Sequence, residues 1–142
     1  MNGTAAWRAS VLLGVLLLGG CGQHGHLDTG TGGDTGANEY PANYKSDILS
    51  AMHAYLNDPT GIRDAAISEP ALKPSGNATR YAVCLKFNPK KNAKEYAGVK
   101  EVAALFLAGR FDQFIDTPKD EQELCAGATY APFSELEKLP RY

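Results

Sequence analysis

Three groups of side chains in this sequence carry charge or reactivity at spacings that suggest chemistry. The first is His53 with Asp112 and Asp116. An imidazole that titrates near neutrality and a pair of carboxylates are common parts of acid and base catalysis. On an extended segment Asp112, Phe114 and Asp116 fall on one face. If His53 joins them in one pocket, the set suits a small hydrolase or a ligand-binding module; otherwise it is a boundary histidine and a solvated sheet edge. The second group is Lys86, Lys90, Lys91 and Lys94, four lysines within nine residues and the one concentrated positive patch after the linker. It reads either as a solvated loop whose charge discourages aggregation or as a docking site for acidic partners. The third group is the thiols. Cys84 and Cys125 stand in apolar surroundings with no histidine beside them and no C-x-x-C spacing, so little in the local sequence activates them for nucleophilic or redox work.

Other constellations are weaker still. His24, His26 and Asp28 offer metal-binding atoms, but a glycine-rich coil does not hold two imidazoles in place or supply the further ligands and supporting hydrogen bonds a metal needs. No metal and no cofactor is expected. The sequence has no G-x-S-x-G elbow, H-E-x-x-H pair, phosphate loop or dinucleotide fingerprint, so no catalytic residue is assigned.

The elements that must position these groups follow from periodicity. Ile48, Leu49, Met52, Tyr55 and Leu56 fall on one face of a helix over Tyr44 to Leu56, which Asn57, Asp58 and Pro59 end. His53 lies at the edge of that face. Ile62 to Ser68 reads as extended and is stopped by Pro70 and Pro74, with a turn at Gly76 and Asn77. Arg80 to Phe87 is the clearest strand, because Tyr81, Val83, Leu85 and Phe87 alternate with Arg80, Ala82, Cys84 and Lys86 as in a half-buried sheet. Asn88 and Pro89 open the lysine-bearing loop, which runs to Tyr96 and Gly98. Val102 to Ala108 suits a hairpin turning at Gly109 and returning over Arg110 to Ile115, with one long helix over Lys100 to Asp116 as the alternative. Thr117 to Glu123 is polar, contains Pro118 and is expected to be a loop. Leu124 and Cys125 re-enter the core, and Pro132 is expected in the first turn of a short terminal helix carrying Phe133, Leu136 and Leu139.

The first twenty residues have a different character. Arg8 and the amino terminus give a positive start, and Val11 to Leu18 form an apolar run shorter than the roughly 20 residues a bilayer span needs. Gly19 and Gly20 then stand directly before Cys21. Leu18, Gly19, Gly20 and Cys21 resemble the lipobox of a bacterial lipoprotein signal. The resemblance implies cleavage before Cys21, lipidation of its thiol and a membrane anchor through the attached acyl chains. Gly22 follows the cysteine, and by the enteric sorting pattern that favours the outer membrane, with the domain facing the periplasm. Gly22 to Ala37 is rich in glycine, threonine and aspartate and cannot bury enough to order itself, so 21–38 is read as lipidated cysteine and flexible linker. The remaining 39–142 is long enough for one small domain.

Without Arg8, 13 Lys and Arg face 16 Asp and Glu, a net charge of minus three that argues against nucleic acid as a partner. With Cys21 lipidated, two thiols remain, and the oxidising compartment that the resemblance implies makes Cys84 and Cys125 the expected disulfide. A second resemblance rests on Asn57, Asp58, Pro59 and Thr60 after a helix, then Val83, Cys84, Phe87, Asn88, Lys91, Asn92, Tyr96 and Gly98. These are similar to a group of short bacterial envelope proteins that share Asp-Pro-Ser after a helix and a Cys-x-x-Val-Asn, Lys-Asn, Gly-x-Tyr-x-Gly segment; no activity comes with the likeness. Leu85 stands where that group has glycine, and Glu95 precedes the tyrosine. The helix-borne Asp and Arg pattern of the familiar peptidoglycan-binding domain is absent.

The sequence therefore leads to an α+β domain: a small antiparallel sheet of three or four strands, packed on one face against one amphipathic helix, with a short C-terminal helix. The expected role is non-catalytic, meeting an envelope protein or the cell wall through the basic loop and an open sheet face.

Overall fold

One strand, residues 78–88, collects most of the pairing in the domain. The computed structural model describes residues 38–141; the expected signal segment over 1–20, Cys21, His24, His26, Asp28 and the expected linker through residue 37 lie outside the described residues. In chain order the elements are α1 (Tyr44–Tyr55), β1 (Arg63–Ser68), β2 (Ala71–Ser75), β3 (Ala78–Asn88), β4 (Lys100–Leu107), β5 (Arg110–Ile115), α2 (Pro118–Cys125), β6 (Tyr130–Pro132) and α3 (Ser134–Glu137). The class is α+β with an antiparallel sheet ordered β5-β4-β3-β1-β6, and β2 also pairs with β3. The sheet has six strands rather than three or four, and three helices rather than two. The additional strands are short and carry prolines. Pro74 sits in β2, which pairs only with β3, and Pro132 ends β6, positions where a missing N–H interrupts no inner ladder.

β3 turns Val83, Leu85 and Phe87 toward a core shared with Ile48 and Met52 of α1, Val102, Ala104 and Phe106 of β4, and Phe133 and Leu136 around α3. Its other face is also buried. Ala82 and Cys84 pack with Ala103, Leu105, Leu124 and Cys125 beneath α2. A half-buried strand was the expectation from alternation; both faces are covered because the intervening residues are small, and Cys84 is tied to Cys125 by a disulfide that brings their Cα atoms to 5.7 Å. The open sheet face proposed for docking is thus occupied here by a helix. Only two leucines bury themselves in that second cluster, each contributing about 2 kcal/mol. Closing a loop of 41 residues contributes about 4 kcal/mol by the chain-entropy estimate, comparable to both leucines together.

The helix α2 replaces the loop expected over Thr117 to Glu123. Pro118 is its first residue and Asp120 and Glu121 lie in its first turn, where a missing N–H costs nothing and carboxylates favour the positive end of the helix. Pro132 belongs to β6 instead of the terminal helix, which starts at Ser134, although Phe133, Leu136 and Leu139 are buried at the expected spacing.

Two irregularities shape the sheet. At the step from β1 to β2, the Cys84 N–H donates to the buried Ser68 hydroxyl at 2.8 Å, and Ser68 donates to the Glu69 carbonyl at 3.1 Å. The bulge in β1 holds Asp64 at φ 55° and leaves the Ala65 N–H to donate to a Glu137 carboxylate oxygen at 3.0 Å.

The 102–115 segment is a hairpin, with Leu107 opposite Arg110 and a two-residue turn of Ala108 at φ 49° and Gly109 at φ 73°. Such turns suit Gly or Asn at both positions, and alanine in left-handed geometry is strained. Ala108→Gly is expected to raise stability by about 0.5 kcal/mol, relief of strain outweighing the added unfolded-state entropy. Urea denaturation checks this; a lower midpoint contradicts it.

Candidate functional site

The lysine loop is built from its own backbone and two asparagines. Pro89 cannot continue the β3 ladder, so the chain leaves the sheet after Asn88 and returns at Lys100. Asn88 Oδ1 accepts from the Gly98 N–H at 3.0 Å, and the Ala97 N–H donates to the Pro89 carbonyl at 2.9 Å. Inside the loop, Asn92 Oδ1 accepts from the N–H groups of Lys94 at 2.9 Å and Glu95 at 3.0 Å, while the Lys91 N–H donates to the Glu95 carbonyl at 2.9 Å. Tyr96 fastens the loop to the region before β1. Its hydroxyl donates to the Gly61 carbonyl at 3.1 Å, and the Arg63 guanidinium lies 4.2 Å from its ring centre. The result is a small ordered projection.

Lys91 and Lys94 are exposed on that projection, while Lys90 is half-buried and runs across Gly61. The described residues contain three ion pairs, and none of them uses Lys90, Lys91 or Lys94. Lys86 does not belong with the other three. It lies on β3 opposite Glu101, its ammonium 3.8 Å from the Glu101 carboxylate and 4.2 Å from the centre of the Tyr130 ring, on the face covered by α2. Strand periodicity already separates it from the loop, since Lys86 shares the Ala82 and Cys84 face.

A cleft of about 430 Å³ lies beside the loop, at the C-terminal end of α1. Lys90, Lys91 and Lys100 line it together with Asp58 and Asp116. Both carboxylates have partners. Asp58 accepts from the Thr60 hydroxyl at 2.6 Å, from the Thr60 N–H at 3.0 Å and from Arg141 at 3.0 Å; the Thr60 side chain and backbone, then Arg141, hold its carboxyl below the usual range. Asp116 accepts from the Tyr55 hydroxyl at 3.0 Å, and burial, reinforced by Asp116, pushes the Tyr55 hydroxyl up to about 12. Lys100 was missed as a site residue because it stands outside the nine-residue lysine run; only the return of β4 beside the end of α1 brings it to the loop.

The histidine and carboxylate set is not gathered. A register shift in β5 between Phe111 and Gln113 puts Asp112 on the α2 face, where Arg80 meets it at 2.6 Å, while Phe111 and Phe114 pack in the α1 core. Asp112, Phe114 and Asp116 therefore do not share a face. His53 is on α1, across the sheet from Asp112, and the cleft that Asp116 lines does not include it.

A second polar cluster, invisible in the sequence, sits over the Lys86 side of the sheet. The Tyr130 hydroxyl donates to a Glu101 carboxylate oxygen, and Glu121 of α2 approaches the same carboxylate. Glu101, Glu121 and Cys125 have potential ligand atoms within 4.8 Å of one another, but the Cys125 sulfur is committed to the disulfide. Burial, then the Glu101 carboxylate, raises the Glu121 pKa, and burial with Glu101 also raises that of the Tyr130 hydroxyl.

Because folding raises the affinity of Glu121 for its proton, this group favours the folded state most below the ordinary glutamate value of about 4.3 and loses that contribution as pH rises through its elevated pKa. Glu121→Gln keeps the shape without the charge. It is expected to melt with the wild type at low pH and above it at neutral pH; a difference that does not change with pH contradicts the assignment.

The chain matches no family model, no curated protein and no solved structure.

Proposed function

We propose that this protein is a membrane-anchored envelope lipoprotein, tethered through Cys21, whose domain 39–142 binds an anionic partner through Lys90, Lys91 and Lys94 and performs no catalysis. The observation that carries the reading is a set of lysines on an ordered loop, without carboxylate partners among the described residues. A floppy loop would lose conformational freedom on binding; this one is already fixed by its asparagines, so less of the electrostatic gain is offset. The anchor reading rests on Leu18, Gly19, Gly20 and Cys21. Among the described residues no helix is long and apolar enough to cross a membrane. The location favoured by Gly22 is the outer membrane, facing the periplasm. A hydrolase using His53 gains no support from the geometry: Asp112 pairs with Arg80 on the other face of the sheet, and Asp116, which accepts from Tyr55, lines a cleft that His53 does not.

Exposed charge pairs contribute up to about 1 kcal/mol each, so reversing three of them is expected to weaken capture by about tenfold or more. Lys90→Glu, Lys91→Glu and Lys94→Glu together are expected to leave thermal melting near wild type and to lose that factor in pull-downs from envelope extract. Undiminished capture removes the loop from the account. For the anchor, mass spectrometry of the membrane-extracted protein is expected to find acyl chains on Cys21, and Cys21→Ser is expected to be recovered without them. Fatty-acid labelling that survives this substitution refutes it.

A further inference from the structure

We infer that the carboxylates of Glu121 and Glu101 form a charge guard on the Cys84–Cys125 disulfide, slowing its exchange with thiols and slowing it most for thiols that carry further negative charge. The bond that fastens α2 to the sheet is thereby protected by electrostatics as well as by burial.

The charges stand beside the reacting atoms. A carboxylate oxygen of Glu101, a carboxylate oxygen of Glu121 and the Cys125 Sγ lie within 4.8 Å of one another. Glu101 comes from β4 and Glu121 from α2, so the guard forms only where the helix lies on the sheet. Cys125 is the last residue of α2, the reverse of the helix N-terminus that activates a reactive thiol. Two cations are close to the cluster. The Lys86 ammonium, 3.8 Å from Glu101 on a side chain 41% exposed, offsets part of that carboxylate's charge. Lys73 donates to the Ala126 carbonyl at 2.8 Å, where it meets the partial negative charge at the end of the helix. Glu121 enters none of the ion pairs of the described residues. Coulomb contributions add, so the repulsion from Glu121 persists whatever the two lysines supply.

Either route of exchange puts negative charge next to those carboxylates. If a thiolate attacks the Cys125 Sγ, a sulfur–sulfur bond forms there and the Cys84 Sγ leaves with the electron pair; the incoming anion has to reach bonding distance of a sulfur flanked by two carboxylates. If it attacks the Cys84 Sγ, Cys125 leaves with the electron pair and becomes a thiolate in the same place, a poorer leaving group that departs more slowly. A second thiolate then attacks the mixed disulfide, the reagent leaves as its own disulfide, and the two cysteines have gained two electrons. A cavity of about 380 Å³ lined by Cys84, Ser68, Lys73 and Tyr130 gives a small reagent room beside the bond. Size therefore admits small thiols, and charge discriminates among them.

The test follows reduction of the oxidised full-length chain at about pH 8, above the carboxyl range. Three small thiols are used whose thiolates differ in net charge: mercaptoethanesulfonate, mercaptoethanol and cysteamine. Freed Cys84 and Cys125 are trapped by alkylation and quantified by mass spectrometry, and each variant is compared with wild type for the same reagent, so that the reagent's own reactivity cancels. Glu121→Gln is expected to speed reduction by mercaptoethanesulfonate about tenfold, by mercaptoethanol less, and by cysteamine, whose ammonium offsets its thiolate, least. Asp120→Asn removes a carboxylate from the same helix but outside the cluster, and is expected to stay within about twofold of wild type with all three reagents. Because Glu121→Gln is expected to be the more stable protein at this pH, reduction by way of unfolding would be slower in it, and the guard is read from the opposite sign. A Glu121→Gln rate at or below that of wild type overturns the inference. Equal acceleration by the three reagents, the mark of a loosened helix, also overturns it, as does an effect of Asp120→Asn as large as that of Glu121→Gln.

Discussion

The constraint on which everything else rests is that β3 is buried on both faces and paired along both edges. Toward α1 it is covered by large side chains such as Ile48, Met52 and Phe133. Toward α2 it is covered by alanines, two leucines and a disulfide. A domain of about a hundred residues has little apolar area to distribute, and the second face is where that shortage shows. Here the covalent link does what larger side chains do on the first face. It fixes α2 over the sheet, and with α2 come Glu121 and the packing around Lys86 and Tyr130.

With both faces of β3 covered, the lysine loop stands at the end of that strand. The end carrying the lysine loop is ordered by side-chain hydrogen bonds: Asn88 and Asn92 accept from three backbone N–H groups between them, Asn92 also donates to the Glu95 carboxylate, and Tyr96 ties the projection back to Gly61. The same end gathers Lys100 from β4 and the satisfied aspartates Asp58 and Asp116. Structure and electrostatics thus converge on one region, while the histidine and carboxylates that looked catalytic in sequence are not gathered in one pocket.

Much of this arrangement was legible beforehand. The apolar spacing of Ile48, Met52 and Tyr55 gave α1, the alternation around Val83 and Leu85 gave β3, and Gly109 gave the hairpin. What was not legible has physical reasons. Pro118 and the polar residues around it suggested a loop, although at the first position of a helix proline is favourable and Asp120 and Glu121 beside it were the available signal. The short strands β2 and β6 derive their stability from pairing with β3 and β1, not from their own sequences. Asp112 changed face because a single extra residue in β5 inverts everything beyond it, and nothing local announces such a bulge. Lys100 joined the site through tertiary placement alone.

The central claim is that the lysines are presented by a fixed scaffold and not by a flexible loop. Residue-resolved amide hydrogen exchange of the oxidised full-length protein tests it most directly. The account predicts slowed exchange at Lys91, Glu95, Ala97 and Gly98, whose N–H groups are donated within the loop, together with the strongest protection along β3. Exchange of those four amides at the rate of an unstructured peptide, beside a protected β3, would contradict it.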